Sequence, residues 1–156
     1  MAFATDTTVP VERSKAEIER LLGRYGASRF MSGWDGDTAA LGFVLGNRTI
    51  RFTLPLPAKS DKQFHRTPTG RQRRNPADAE RAWEQACRSR WRALLLVIKA
   101  KLEAVQVGIS TVEDEFLAWT VLPGDARTIG ERLRPQIEES VKSGKPPLLL
   151  ALGGGA

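Results

Sequence analysis

Residues 38–56 read TAALGFVLGNRTIRFTLPL, and this stretch decides the fold. Ala39, Leu41, Phe43 and Leu45 recur at every second position, and so do Ile50, Phe52, Leu54 and Leu56. Thr49, Arg51 and Thr53 fill the intervening places. A period of two predicts strands with one buried and one wet face. Gly46-Asn47 separates the two runs and suits a two-residue hairpin turn, whose central positions both need positive φ. Pro55 and Pro57 lack the N–H a ladder needs and end the second run. Upstream, Arg29 to Trp34 reads as a third strand, with Asp35-Gly36 as another turn of the same kind. The prediction is a three-stranded antiparallel meander.

Helical patterns flank it. Ser14 with Glu17 has the spacing of a capping box, followed by Ile18, Leu21, Leu22 and Tyr25 on one stripe and Gly26 as a stop. Asn75-Pro76 is a strong helix start, because Pro at the first helical position has no partnered N–H to lose. From there Trp83, Cys87, Trp91, Leu94, Ile98, Leu102 and Val105 step by three or four. Unbroken to Val107 and stopped by Gly108, this helix spans about 45–50 Å. Ser110 with Glu113 predicts another cap, opening a short helix toward Trp119, with Thr120 to Leu122 as a short strand and Pro123-Gly124-Asp125 as a turn. Thr128 with Glu131 predicts a capped final helix bearing Ile129, Leu133, Ile137 and Val141, ended by Gly144 and kinked at Pro135. Residues 1–10 read as a flexible arm, 11–144 as a single α+β domain with a mobile basic loop at 58–74, and 145–156 as a tail with Leu148 to Leu150 docked. The order is helix, three-stranded antiparallel meander, long amphipathic helix and helical C-terminal part.

Composition narrows the class. The 156 residues are 41% hydrophobic and 27% charged, which supports a packed core and argues against wholesale disorder. The single cysteine, Cys87, has no intramolecular disulfide partner, and no Cys/His set has zinc-site spacing. The start has no basic segment followed by an apolar run, so no signal peptide is expected. The longest apolar run, Ala93 to Ile98, is too short for a membrane span. The expectation is a soluble protein of a reducing cytoplasm, with no membrane partner. The net charge of +6 favours anionic partners.

That charge is concentrated. Residues 58–74 carry Lys59, Lys62, Arg66, Arg71, Arg73 and Arg74 against one acid, Asp61. Such a segment can clamp phosphates, and the counterions they release drive binding. Phe64 and His65 lie within it and could stack on a base. On the long helix, Arg81, Arg88, Arg92 and Lys99 fall on one narrow stripe at 100° per residue, about 110° round from the apolar stripe. They form a candidate basic ridge, with Glu84 and Glu103 near enough to pair with some of its members. Charges on the wet side of an amphipathic helix are also what solubility requires. The polar sheet face with Arg29, Met31, Thr49, Arg51 and Thr53 is a weaker candidate platform.

Other features read as structural. Trp34, Trp83, Trp91 and Trp119 are expected as core or interface anchors, and Cys87 as an inert packed thiol. Glu113, Asp114 and Glu115 are consecutive, so a helix cannot turn all three to one metal; they favour its N-terminus. Gly153 to Gly155 neither follows a strand nor opens a helix, so it is no phosphate cradle. No catalytic residue, metal ligand or cofactor site emerges.

The helix segment WEQACRSRWRALLLVIKAKLEAVQVGI and its continuation VEDEFLAWTVLPGDARTIGERLRPQI resemble a family of uncharacterised phage and prophage proteins. So do VERSKAEIERLLGRYGASRFMSGWDG and RFTLPLP, and the resemblance runs from about Val11 to Leu150. It implies a context rather than an activity: a phage accessory protein acting in replication, recombination, packaging or against host defence. The order helix, three strands, helix is also similar in topology to the double-stranded-RNA-binding domain, where a basic cluster opens the last helix. Here Arg71, Arg73 and Arg74 precede the helix, but Asp78 and Glu80 at its start depart from that pattern.

The leading expectation is a non-enzymatic protein that holds nucleic acid non-specifically through the basic loop and the ridge. One alternative is an anti-defence protein (an anti-CRISPR, for example) or a host-takeover protein that inhibits a host protein or nucleoprotein complex by binding it. A second is a metal-dependent nuclease. The long stripe either packs on its own sheet or pairs two copies into a homo-oligomer.

Overall fold

A computed structural model describes residues 4–147 of the chain, so the expected docking of Leu148 to Leu150 and the Gly153–Gly155 run lie outside the described residues. Helix α1 (Val11–Arg24) precedes strands β1 (Ser28–Asp35), β2 (Thr38–Leu45) and β3 (Arg48–Pro55). Helices α2 (Lys62–His65), α3 (Pro76–Gln106) and α4 (Val112–Glu115), a 3-10 turn (Leu117–Trp119), strand β4 (Thr120–Val121) and helix α5 (Ile129–Ser143) follow. The protein is α+β, as the alternation and helical spacing predict.

The meander gains a strand. The sheet is antiparallel in the order β1-β2-β3-β4, because Thr120 and Val121 pair with Ile50 and Thr49. Leu41 lies opposite Phe52 and Phe43 opposite Ile50, which stacks the apolar alternations of β2 and β3 on one face. Gly46 and Asn47 both have positive φ, +55° and +61°, as a tight two-residue turn demands. The first hairpin differs from the expectation. Asp35 still pairs with Thr38, so the turn is Gly36-Asp37, and only Gly36 takes positive φ.

Helices α1 and α3 cover the apolar face. Ile18, Leu21 and Leu22 from α1 and Trp91, Leu94, Leu95, Ile98 and Leu102 from α3 bury against Ala39, Leu41, Phe43, Leu45, Ile50 and Phe52. Phe116 closes one end. It is wholly buried and meets Phe43 and Phe52 edge-on, each at 6.1 Å, while Trp119 stacks on Phe52 at 4.7 Å. The long apolar stripe of α3 thus packs on its own sheet.

Helix starts follow the predicted chemistry at two places and depart from it at two. Asn75 accepts from the Asp78 amide, and Thr128 and Glu131 form a complete capping box. Helix α1, however, begins after Pro10, three residues ahead of the expected cap. Ser14 is therefore inside the helix and wholly buried, and its hydroxyl has no hydrogen-bond partner among the described residues. The cap of α4 is Thr111, which accepts from the Asp114 amide, one residue after Ser110. Helix α5 runs through Pro135 as one element, but none of its residues is buried; Ile137 and Val141 are 52% and 79% exposed. Its expected apolar stripe stays largely uncovered.

Candidate nucleic-acid interface

The basic segment has a scaffold of its own. Asp61 caps α2 by accepting from the Gln63 amide, and Phe64, buried to 4%, pins the turn to the body. Phe64 is thus an anchor and no stacking platform. Beyond it the chain folds into a small hairpin. Arg66 bridges Arg73, the Thr67 amide donates to the Gln72 carbonyl at 2.9 Å, and Gly70 turns the tip with φ +71°. The Arg74 amide closes the base by donating to the His65 carbonyl at 2.9 Å. A segment expected to be a featureless mobile loop therefore holds a helical turn and a bridged hairpin.

This scaffold gathers cations. Lys62, His65, Arg66 and Arg73 border one concavity of about 320 Å³, and Lys59, His65, Arg73 and Arg74 border a second of about 630 Å³ with Glu80 and Trp83. Lys62, Arg66, Arg71 and Arg73 are exposed. Among the described residues none of these four, nor Arg74, has an ion-pair partner. Arg74 is half-buried and its guanidinium leans on the Gln63 and Phe64 carbonyls at the end of α2, where bare carbonyls attract a cation. Lys59 is different: its ammonium pairs with Glu80 at 2.8 Å and sits 4.4 Å over the Trp83 ring.

The helix ridge is corrected. Arg81, Arg88, Arg92 and Lys99 share one side of α3 as predicted, but the middle of that side lies against α1 and residues Thr5 and Thr7. Arg92 pairs with Glu17 of α1 at 2.7 Å, and that bond holds the Glu17 carboxyl below its ordinary pKa. Arg88 donates to Gln85 Oε1, while Gln85 Nε2 donates to the Thr5 and Thr7 carbonyls. Residues 4–10, expected to form a flexible arm, thus lie against α3, with Ala4 buried. Arg81 pairs with Asp78. The acids that take up the ridge are Asp78 and Glu17, not Glu84 and Glu103. Nor are ridge and loop one surface. The loop packs where Ala79, Glu80 and Trp83 project, between about 100° and 200° round α3 from Arg81.

Lys99 escapes this packing and joins two residues that the sequence patterns did not single out. Arg20 and Arg24 of α1 face Arg92 and Lys99 of α3 across a groove of about 500 Å³ floored by Leu21 and Leu95, with Glu17 at one end. Arg13, Glu17, Arg20 and Arg24 recur at helical spacing, a signal present in the sequence but far sparser than the run at 58–74.

The polar sheet platform is partly spent. Arg51 donates to Glu131 at 3.0 Å and to the Ala126 carbonyl at 2.9 Å, tying β3 to the start of α5. Met31 is 71% exposed on the same face. Of the tryptophans, Trp91 is buried, Trp83 is half-buried with its Nε1–H donated to the Pro57 carbonyl at 2.8 Å, and Trp119 is stacked in the core. Trp34 is 77% exposed, so within this chain it is no core anchor. Burial raises the Cys87 thiol above its ordinary pKa, as for a packed thiol rather than a nucleophile.

Among the described residues no three His, Cys, Asp or Glu side chains come together to hold a metal ion, and no helix is long and apolar enough to cross a membrane. Comparison with protein-family models, curated proteins and solved structures returns no match, so the assignment of this interface rests on its own chemistry.

Proposed function

We propose that the chain is a non-enzymatic accessory protein, of the phage type its sequence resembles, that grips nucleic-acid backbone in the host cytoplasm with little sequence preference. One observation supports this most. Lys62 on α2 and Arg66, Arg71 and Arg73 on the braced hairpin beyond it stand exposed with no carboxylate partner among the described residues. Cations already paired inside the protein gain little from a phosphate, whereas unpaired ones release the phosphate's counterions. The α1–α3 groove with Arg20, Arg24 and Lys99 supplies a second, separate contact. The ridge contributes less than its four charges suggest, because Arg92 is engaged in a half-buried pair with Glu17.

The test is an affinity titration against a mixed-sequence strand and a duplex between about 50 and 200 mM salt, where several neutralised phosphates cost orders of magnitude in affinity. A steep fall that is alike for unrelated sequences is expected. Affinity that is flat over that range contradicts the proposal.

A second reading, an anti-defence or host-takeover protein that blocks a host complex, draws on two exposed apolar side chains of the edge strand β1, Met31 on the polar face of the sheet and Trp34 on the opposite one. A host complex captured after nuclease treatment, and lost with Met31→Ser plus Trp34→Ser, would favour it. The nuclease alternative has no acidic cluster among the described residues to support it.

A further inference from the structure

Trp34, 77% exposed, lines a hollow. The hollow lies between β1, α1 and the start of α3, encloses about 460 Å³, and has Trp91 and Trp83 on its other sides. That volume lies within the range of about 300–1,000 Å³ typical of small-molecule sites. The Lys15 ammonium stands 4.8 Å from the Trp91 ring and 6.0 Å from the Trp34 ring, and Lys59 stands 4.4 Å over Trp83. Both ammoniums have carboxylate neighbours, Glu12 at 3.4 Å and Glu80 at 2.8 Å, and Asp37 lies on the rim. Glu12 is 85% exposed and Glu80 about half exposed, so an incoming anion can displace either carboxylate, while Lys15 itself is only 17% exposed.

Trp91 is buried under Lys15 and Trp83 is half-buried under Lys59, so the open indole is Trp34, and with two ammoniums beside it the hollow suits a flat aromatic group carrying negative charge. We propose that this hollow receives one unstacked nucleobase, sandwiched against Trp34, with its phosphate on Lys15 and Lys59. Aromatic side chains hold bases of any sequence because every base has a π-face. The ammoniums would fix the phosphate beside the ring. This extends the nucleic-acid reading and rests on it for the polymer, since an unstacked base belongs to a single strand or a strand end. A free nucleotide offers the same chemistry.

The experiment uses the full chain, Trp34→Ala, Trp34→Phe and Arg66→Glu/Arg71→Glu/Arg73→Glu. Each is titrated with a ten-nucleotide mixed single strand, the matching duplex and adenosine monophosphate, with tryptophan quenching and strand anisotropy as readouts. Trp34 is too exposed for its replacement to threaten the fold. W34A is expected to lose fivefold or more in single-strand affinity, the lower range of what about one stacked base contributes, with duplex binding unchanged and W34F close to the parent. Quenching by adenosine monophosphate that W34A abolishes also supports the site and identifies a free nucleotide as an occupant. W34A that binds strand and nucleotide like the parent overturns it. If loop reversal weakens both polymers while W34A changes nothing, the hollow is refuted and the basic loop stands. If only nucleotide quenching survives, the polymer reading fails and the hollow stands.

Discussion

Single residues separate what spacing says from what packing decides. Ser14/Glu17 and Thr128/Glu131 have the same capping-box spacing, yet only the second forms one. Pro10 starts α1 early, so Ser14 ends in the interior and Glu17 turns to Arg92. Thr128→Ala should therefore cost about 1 kcal/mol, the usual worth of a cap, while Ser14→Ala should be neutral or stabilising because it removes a buried hydroxyl without a partner. Urea denaturation of both variants checks this, and equal losses would contradict it. Gly130 is a second case. A helix normally prefers Ala to Gly by about 0.5–1 kcal/mol. Here a Cβ would stand 2.9 Å from the Ala118 carbonyl oxygen, so Gly130→Ala should destabilise, by about 1–3 kcal/mol. Glu17 adds a pH signature. Its pKa is lowered in the fold, so its contribution is present above the unfolded carboxylate pKa, near 4.5, and is lost as pH falls through the folded value. Glu17→Gln should cost about 0.5–1 kcal/mol at neutral pH, and its deficit against the parent should shrink in thermal melts as pH falls below the unfolded value and through the lowered folded one.

At the scale of elements, the regular alternation of β2 and β3 was legible because each strand buries one face, and a one-residue slip would bury Thr49, Arg51 and Thr53. The start of α3 was legible because Asn75-Pro76 acts through local backbone chemistry alone. Strand β4 falls where the short strand Thr120 to Leu122 is expected, but its pairing with Thr49 and Ile50 is a tertiary fact that two residues cannot announce. The α5 stripe misled for the converse reason. Ile129, Leu133, Ile137 and Val141 have the right spacing, but periodicity names a face without naming what covers it. The exposure of Ile137 and Val141 predicts that Ile137→Lys with Val141→Lys shifts stability by less than about 0.5 kcal/mol each. A concentration-dependent loss of melting temperature in that double variant would show the face covered by a second copy.

For the whole molecule, the candidate site was half legible. The cations of the loop are where the sequence places them, because a local run needs no fold to be dense. What the sequence withheld is which of them are already satisfied. Arg92 meets Glu17 only because α1 lies over that side of α3, and the Gln85 that Arg88 holds reaches the Thr5 and Thr7 carbonyls only because the first described residues do too. Arg20 and Arg24 gain a partner surface for the same reason. The central claim of the proposal is therefore about distribution: more of the usable charge sits on the loop hairpin than on the Arg81–Arg88 stretch of the helix. The salt dependence of binding measures this most directly. Plots of log affinity against log salt should be compared for the parent, Arg66→Glu/Arg71→Glu/Arg73→Glu and Arg81→Glu/Arg88→Glu. The hairpin variant should flatten the slope by about three, one for each phosphate no longer neutralised, while the helix variant leaves it nearly unchanged. A slope that the helix variant flattens and the hairpin variant spares would contradict the account.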